Sequence, residues 1–178
     1  QFQDLEFNVP YQALLRKGFD VDVAGIKPGE AHGSLGMKFT PNKNLASMRN
    51  GDFGVYDALV IPGGPGSTRF LWKNKTVQHV AQFFNHNKKI VATICNACAV
   101  PVEAELLKNK QATIYPSDEG KALLAQHQVT FVDQGCVVLP DEKIITAQSP
   151  EYAQDFAQAI IELLETKGSN QHVSQTSY

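Results

Sequence analysis

Apolar and polar positions along the chain keep two different rhythms. Tyr56–Ile61 (YDALVI) and Ile90–Ile94 (IVATI) are short runs, the second apolar or β-branched throughout, with the stretch from Lys88 opening on two lysines. Such runs predict strands buried on both faces of a parallel sheet. Phe19–Ala24 (FDVDVA) alternates and predicts a further strand. Other stretches repeat at helical spacing. Val77, Val80, Ala81 and Phe84 share one face of Thr76–Asn85, and Phe156, Ile160, Leu163 and Leu164 share one face of Pro150–Glu165. Val9, Ala13 and Leu14 mark a first helix entered near Pro10 and closed by Gly18. Shorter strands are expected at Met37–Thr40, Gln111–Tyr115, Val129–Asp133, Gly135–Leu139 and Lys143–Ala147, with a short helix at Glu119–Ala125. Ile26–Gly54 reads mostly as a long connection, and 168–178 as a polar tail.

Strands alternating with helices predict an α/β fold, a three-layer, doubly wound sandwich around a mostly parallel sheet. One domain over residues 1–167 accommodates the whole pattern. The pattern opens on a loop and a helix, so an apolar strand is expected ahead of Gln1.

Composition narrows the function classes. The 178 residues carry a net charge of −2, which favours neither nucleic acid nor an anionic membrane surface. No apolar run approaches the roughly 20 residues that span a bilayer, and the first residues lack the basic region and apolar core of a signal peptide. Three cysteines, an odd count, argue against a disulfide framework and for a reducing compartment; a cytoplasmic location is expected.

The candidate chemistry centres on Cys95. It falls where the Ile90–Ile94 strand gives way to a helical spacing carried by Val100, Ala104 and Leu107. A thiol at such a strand-to-helix elbow meets unpaired N–H groups and a partial positive charge, which favour thiolate. The alternative is an inert, packed cysteine. Pro62-Gly63-Gly64-Pro65-Gly66 and Tyr115-Pro116 also fall at strand carboxyl ends, where ligands bind in sheets of this type. Cys95-Asn96-Ala97-Cys98 reads as CxxC, which leaves open a resolving thiol at Cys98 as well as simple packing; a lone CxxC makes metal improbable. Cys136 reads as core. Pro101 is expected to kink or loosen the helix after the elbow. No metal or cofactor is expected.

These residues, in this order, resemble the DJ-1/PfpI family of the class I glutamine amidotransferase-like group. Asp4-Leu5-Glu6, Gly18–Gly25, Asp57–Gly64, Ala92–Cys95, Leu106–Pro116 and Lys143–Pro150 carry the resemblance. It implies a flavodoxin-like architecture and a homodimer. It also implies that Cys95 is a reactive, oxidation-prone elbow cysteine, that Glu6 hydrogen-bonds its sulfur, and that the N–H groups of Gly64 and Asn96 line an oxyanion pocket, with Gly63 accessory. Two positions depart from the family pattern. Asn96 stands where many relatives have histidine, and Tyr115 stands where others do. None of His32, His79, His86, His127 and His172 occupies a matched catalytic position, so peptidase chemistry lacks its base. Three functions remain: an enzyme acting on reactive carbonyls in the glyoxalase or deglycase manner, a redox sensor or chaperone-like stress protein, and a CxxC oxidoreductase. A small-molecule substrate is expected for the first.

Overall fold

The computed structural model describes residues 1–173, with side chains through Thr166. In chain order the elements are α1 (Asp4–Arg16), β1 (Ala24–Gly25), β2 (Ala31–His32), β3 (Lys38–Phe39), β4 (Lys43–Asn44), α2 (Asn50–Phe53), β5 (Ala58–Ile61), α3 (Ser67–Phe70) and α4 (Lys75–His86). There follow β6 (Ile90–Ile94), α5 (Ala99–Glu103), β7 (Gln111–Ala112), α6 (Asp118–Gln126), β8 (Thr130–Phe131), β9 (Cys136–Leu139), β10 (Ile144–Ala147) and α7 (Ala153–Val173).

The main sheet runs β5-β6-β10-β9. The first three strands are parallel, and β9 closes the edge antiparallel to β10. Side chains leave each strand alternately to two faces. Ile90, Ala92 and Ile94 of β6, with Ile145 and Ala147 of β10, pack with Ala13 and Leu14 of α1 and with Phe156, Ala157 and Ile160 of α7. Val91 and Ile144 point the other way, into Val77, Val80, Ala81 and Phe84 of α4, with Val100 and Leu124 behind. The result is the expected α/β sandwich with a mostly parallel sheet and helices on both faces.

Several boundaries differ from the sequence reading. The first helix begins at Asp4 rather than near Pro10, because the Gln3 side chain caps it by accepting the Glu6 N–H at 2.9 Å. That puts Glu6 in the first helical turn. The closing helix runs beyond Glu165 to Val173, so part of the expected tail is helical, and 174–178 lie outside the described residues. The expected strand Gln111–Tyr115 is only β7, paired with β8; past Ala112 the backbone turns to β10, and Thr113 N–H donates to Thr146 Oγ1 at 3.1 Å. Pro101 sits within the five residues of α5, after a separate 3-10 turn at Cys95–Cys98. The helix is thus broken into two short pieces rather than kinked.

The expected strand Phe19–Ala24 shrinks to β1, paired only with β4. A cleft of about 1340 Å³ explains this: Val21, Val23 and Gly25 line one side, and Ala58, Val60 and Ile61 of β5 the other. The far wall is held by Asp22, whose carboxylate accepts Tyr56 Oη–H and Asn42 Nδ2–H, each at 2.6 Å.

Candidate active site

Strand β6 is fully buried and ends at Ile94, so Cys95 is delivered to the carboxyl edge of the sheet. There the backbone turns sharply. Cys95 has φ +59°, in the left-handed region that side chains disfavour, before the chain winds into the 3-10 turn. Its side chain is 6 % exposed, and the Asn96 backbone N–H donates to its sulfur.

Two other segments close on the thiol. The first turn of α1 brings Glu6, which is wholly buried. Two residues earlier Asp4 ties this turn to the β2–β3 hairpin, accepting Leu35 N–H at 2.8 Å and Met37 N–H at 2.7 Å. The Pro62–Gly66 turn brings Gly63, whose N–H donates to Glu6 Oε2 at 2.9 Å and whose carbonyl accepts Gln3 N–H at 2.9 Å. The other carboxyl oxygen, Glu6 Oε1, is buried with no partner of ordinary geometry, and the remaining polar interaction of this carboxyl group is with Cys95.

The glycines have separate duties. A Cβ on Gly63 would lie 2.6 Å from Ile94 O, 2.7 Å from Glu6 Oε2 and 2.9 Å from Cys95 Cβ, so the bare backbone at 63 lets carboxyl and thiol meet. Gly64 has φ +129°, and a Cβ there would strike Gln3 N and Phe2 C. Its bareness serves the start of α1 rather than an approach to the sulfur.

The electrostatics reverse one expectation. Burial first, and the negative charge of Glu6 second, push the Cys95 thiol up, against the pull of the Asn96 N–H. The elbow does not lower it, because a 3-10 turn and a five-residue helix offer few aligned dipoles against the loss of water. Burial likewise pushes Glu6 up to about 7, although bonds with Cys95 and Gly63 N–H pull it down. Two anions in contact in this dry site repel, so as pH rises through about 7 the pair passes from two protons to one proton and one negative charge, and the thiol keeps that last proton.

The remaining candidates lie elsewhere. Cys98 is fully buried, and its Sγ–H points to the carbonyls of Thr93 and Ala147, 3.3 Å from each; burial pushes it up to about 12. That placement suits packing better than capture of an oxidised Cys95. Cys136 is partly buried on β9. Tyr115 is exposed and lines a small cavity with Pro116, Gln148, Ser149 and Glu151, apart from the Glu6–Cys95 pair. His32 meets Glu30, His79 meets Asn50, and His127 meets Glu105. Among the described residues no three His, Cys, Asp or Glu side chains gather to hold a metal ion. Sequence reasoning missed Asp4 and Trp72. Trp72 Nε1–H donates to the Asn96 carbonyl at 2.7 Å, and the one available signal was a lone tryptophan shortly after the Gly-rich turn.

The DJ-1/PfpI family model matches residues 1–163, a span holding both Glu6 and Cys95. The chain belongs to the DJ-1/PfpI family. It is 38 % identical to an uncharacterised protein of Methanocaldococcus jannaschii over 92 % of this chain and 78 % of that one. It is 32 % identical to a Pyrococcus abyssi protein named as a deglycase, over 92 % and 94 %. A ThiJ/PfpI domain protein from Brachyspira murdochii superposes with a TM-score of 0.84 at 26 % identity, covering 93 % of this chain and 91 % of that one. No described helix of this DJ-1/PfpI chain is long and apolar enough to cross a membrane.

Two predictions follow from the geometry of the pair. Gly63→Ala forces its Cβ against backbone and carboxyl, so it should cost about 1–3 kcal/mol in denaturant unfolding; a neutral change would mean the turn can yield. For Glu6, the folded value of about 7 lies above the ordinary 4.5, so between them the folded protein keeps a proton the unfolded chain has released. Wild type should lose up to about 3 kcal/mol relative to Glu6→Gln as pH rises across that interval. A flat difference would contradict the burial argument.

Proposed function

We propose that this protein is a cysteine-dependent enzyme acting on small reactive carbonyl compounds, in the manner the deglycase name of its relatives indicates. The observation that carries the reading is the buried Glu6 carboxyl, held near pH 7, in polar contact with the Cys95 thiol. A carboxylate of that value is matched to general-base work at neutral pH. No standing thiolate is needed. As sulfur attacks the aldehyde carbon, the S–C bond forms, the thiol proton passes to Glu6, and the carbonyl π pair moves onto oxygen. Glu6 then returns the proton to that oxygen, giving a hemithioacetal with atoms and charge balanced. The Asn96 and Gly64 N–H groups are the proposed donors to the developing oxyanion. The absence of a histidine partner for Cys95 among the described residues favours this chemistry over peptide hydrolysis.

The test is single-turnover reaction with methylglyoxal. Wild type should turn over, with a rate that rises with pH through about 7 as Glu6 ionises. Cys95→Ser should abolish the reaction, and Glu6→Gln should lower it roughly 100-fold or more and erase the limb near 7. An inert wild type whose Cys95 is nonetheless the first thiol oxidised by peroxide would replace this reading with the redox-sensor one.

A further inference from the structure

The left-handed backbone at Cys95 is costly for a residue with a side chain and persists only where its surroundings hold it. The carboxyl and the Gly63 turn touch the Cys95 side chain, but the strain lies in the main chain that leads into Asn96. One side chain grips that main chain from outside. Trp72, 6 % exposed, donates its indole N–H to the Asn96 carbonyl at 2.7 Å. The same carbonyl also accepts the Ala99 N–H of the 3-10 turn, so both of its lone pairs are used.

Trp72 is itself anchored. Its carbonyl accepts Gln78 Nε2–H at 2.8 Å, from a glutamine buried on α4 whose Oε1 takes Lys75 Nζ–H at 3.1 Å. Its own N–H donates to Ser67 O at 3.2 Å, at the start of α3. A continuous path of hydrogen bonds therefore runs from α4 through the indole to Asn96, the residue whose N–H meets the sulfur. The Asn96 carbonyl belongs to the 96–97 peptide and the N–H donated to Cys95 to the 95–96 peptide, so the clamp acts on that N–H by pinning the first turn after the elbow and restraining Asn96 φ and ψ between the two planes.

We propose that Trp72 is a positioning residue: its indole N–H clamps the Asn96 carbonyl and thereby holds the Cys95 elbow in the geometry that makes the thiol reactive. The inference rests on Cys95 being the reactive centre. Trp72 does not touch the sulfur, so removing its N–H should change how Cys95 reacts without changing what it reacts with.

The protein offers clean readouts, because Trp72 is its one tryptophan and Cys98 and Cys136 serve as internal references. The experiment compares iodoacetamide labelling of wild type and Trp72→Phe, peptide by peptide, across pH. The expected result is Cys95 labelling slowed roughly five- to tenfold at neutral pH with an altered pH profile, while Cys98 stays protected and Cys136 labels as before. A mere loss of packing would act oppositely, raising the labelling of Cys95 and Cys98 together, and would overturn the inference. So would an unchanged Cys95 rate and profile. If Cys95→Ser reacts with methylglyoxal as wild type does, the proposed function fails first and this inference with it. Should Trp72→Phe not fold, the wild-type indole N–H resonance decides. It should exchange with solvent at least ~100-fold more slowly than a free indole and move when Cys95 is alkylated. A fast-exchanging, unmoved signal would overturn the clamp.

Discussion

A carboxyl group and a thiol buried in contact, with water excluded, set the terms for everything around them. Each would prefer to be neutral there, and together they pass from no charge to a single negative charge as pH rises through about 7. That condition requires the two side chains to meet from different ends of the chain, at positions 6 and 95. It also requires a backbone thin enough to lie against both, which Gly63 supplies. The main chain at Cys95 accepts strain for the same reason: only a left-handed turn at the end of β6 aims the side chain out of the sheet towards α1.

The sandwich makes this meeting possible. Strand β6 is the centre of three parallel strands, buried from Ile90 to Ile94, so its end is a fixed point. α1 packs against α7 on one face, with Ala13 and Leu14 against Phe156 and Ile160, and its first turn is locked by Gln3 and Asp4. The Pro62–Gly66 turn leaves β5 beside β6 and bonds to both Gln3 and Glu6. Three independent anchors therefore converge on one sulfur, and none of them is a flexible loop tip.

Much of this was legible in the sequence. The β-branched run ending at Cys95, the Gly-Gly turn after YDALVI and the helical stripes of α4 and α7 all follow from local patterning, and the acidic segment Asp4-Leu5-Glu6 followed from family resemblance. What stayed hidden depends on distant contacts. Gln3 as a cap moved the start of α1 by several residues, because capping competes with the preference of Pro10 for a first turn. Phe19–Ala24 alternates like a strand, but strand order needs a neighbour, and Val21 and Val23 face an open cleft instead. The direction of the Cys95 shift was misjudged because helix ends are visible in a sequence and dehydration is not. Trp72 carried only the weak signal of a lone tryptophan after the Gly-rich turn, since its partner is a backbone carbonyl 24 residues away.

The central claim is that Glu6 shares a proton with Cys95 and titrates near neutrality. A carbon-13 NMR titration of the Glu6 carboxyl carbon, assigned by comparison with Glu6→Gln, tests it most directly. The account predicts a midpoint of about 7. A midpoint in the ordinary carboxylate range near 4.5 would leave Glu6 fully ionised at neutral pH, a solvated or otherwise compensated anion, and would contradict the account.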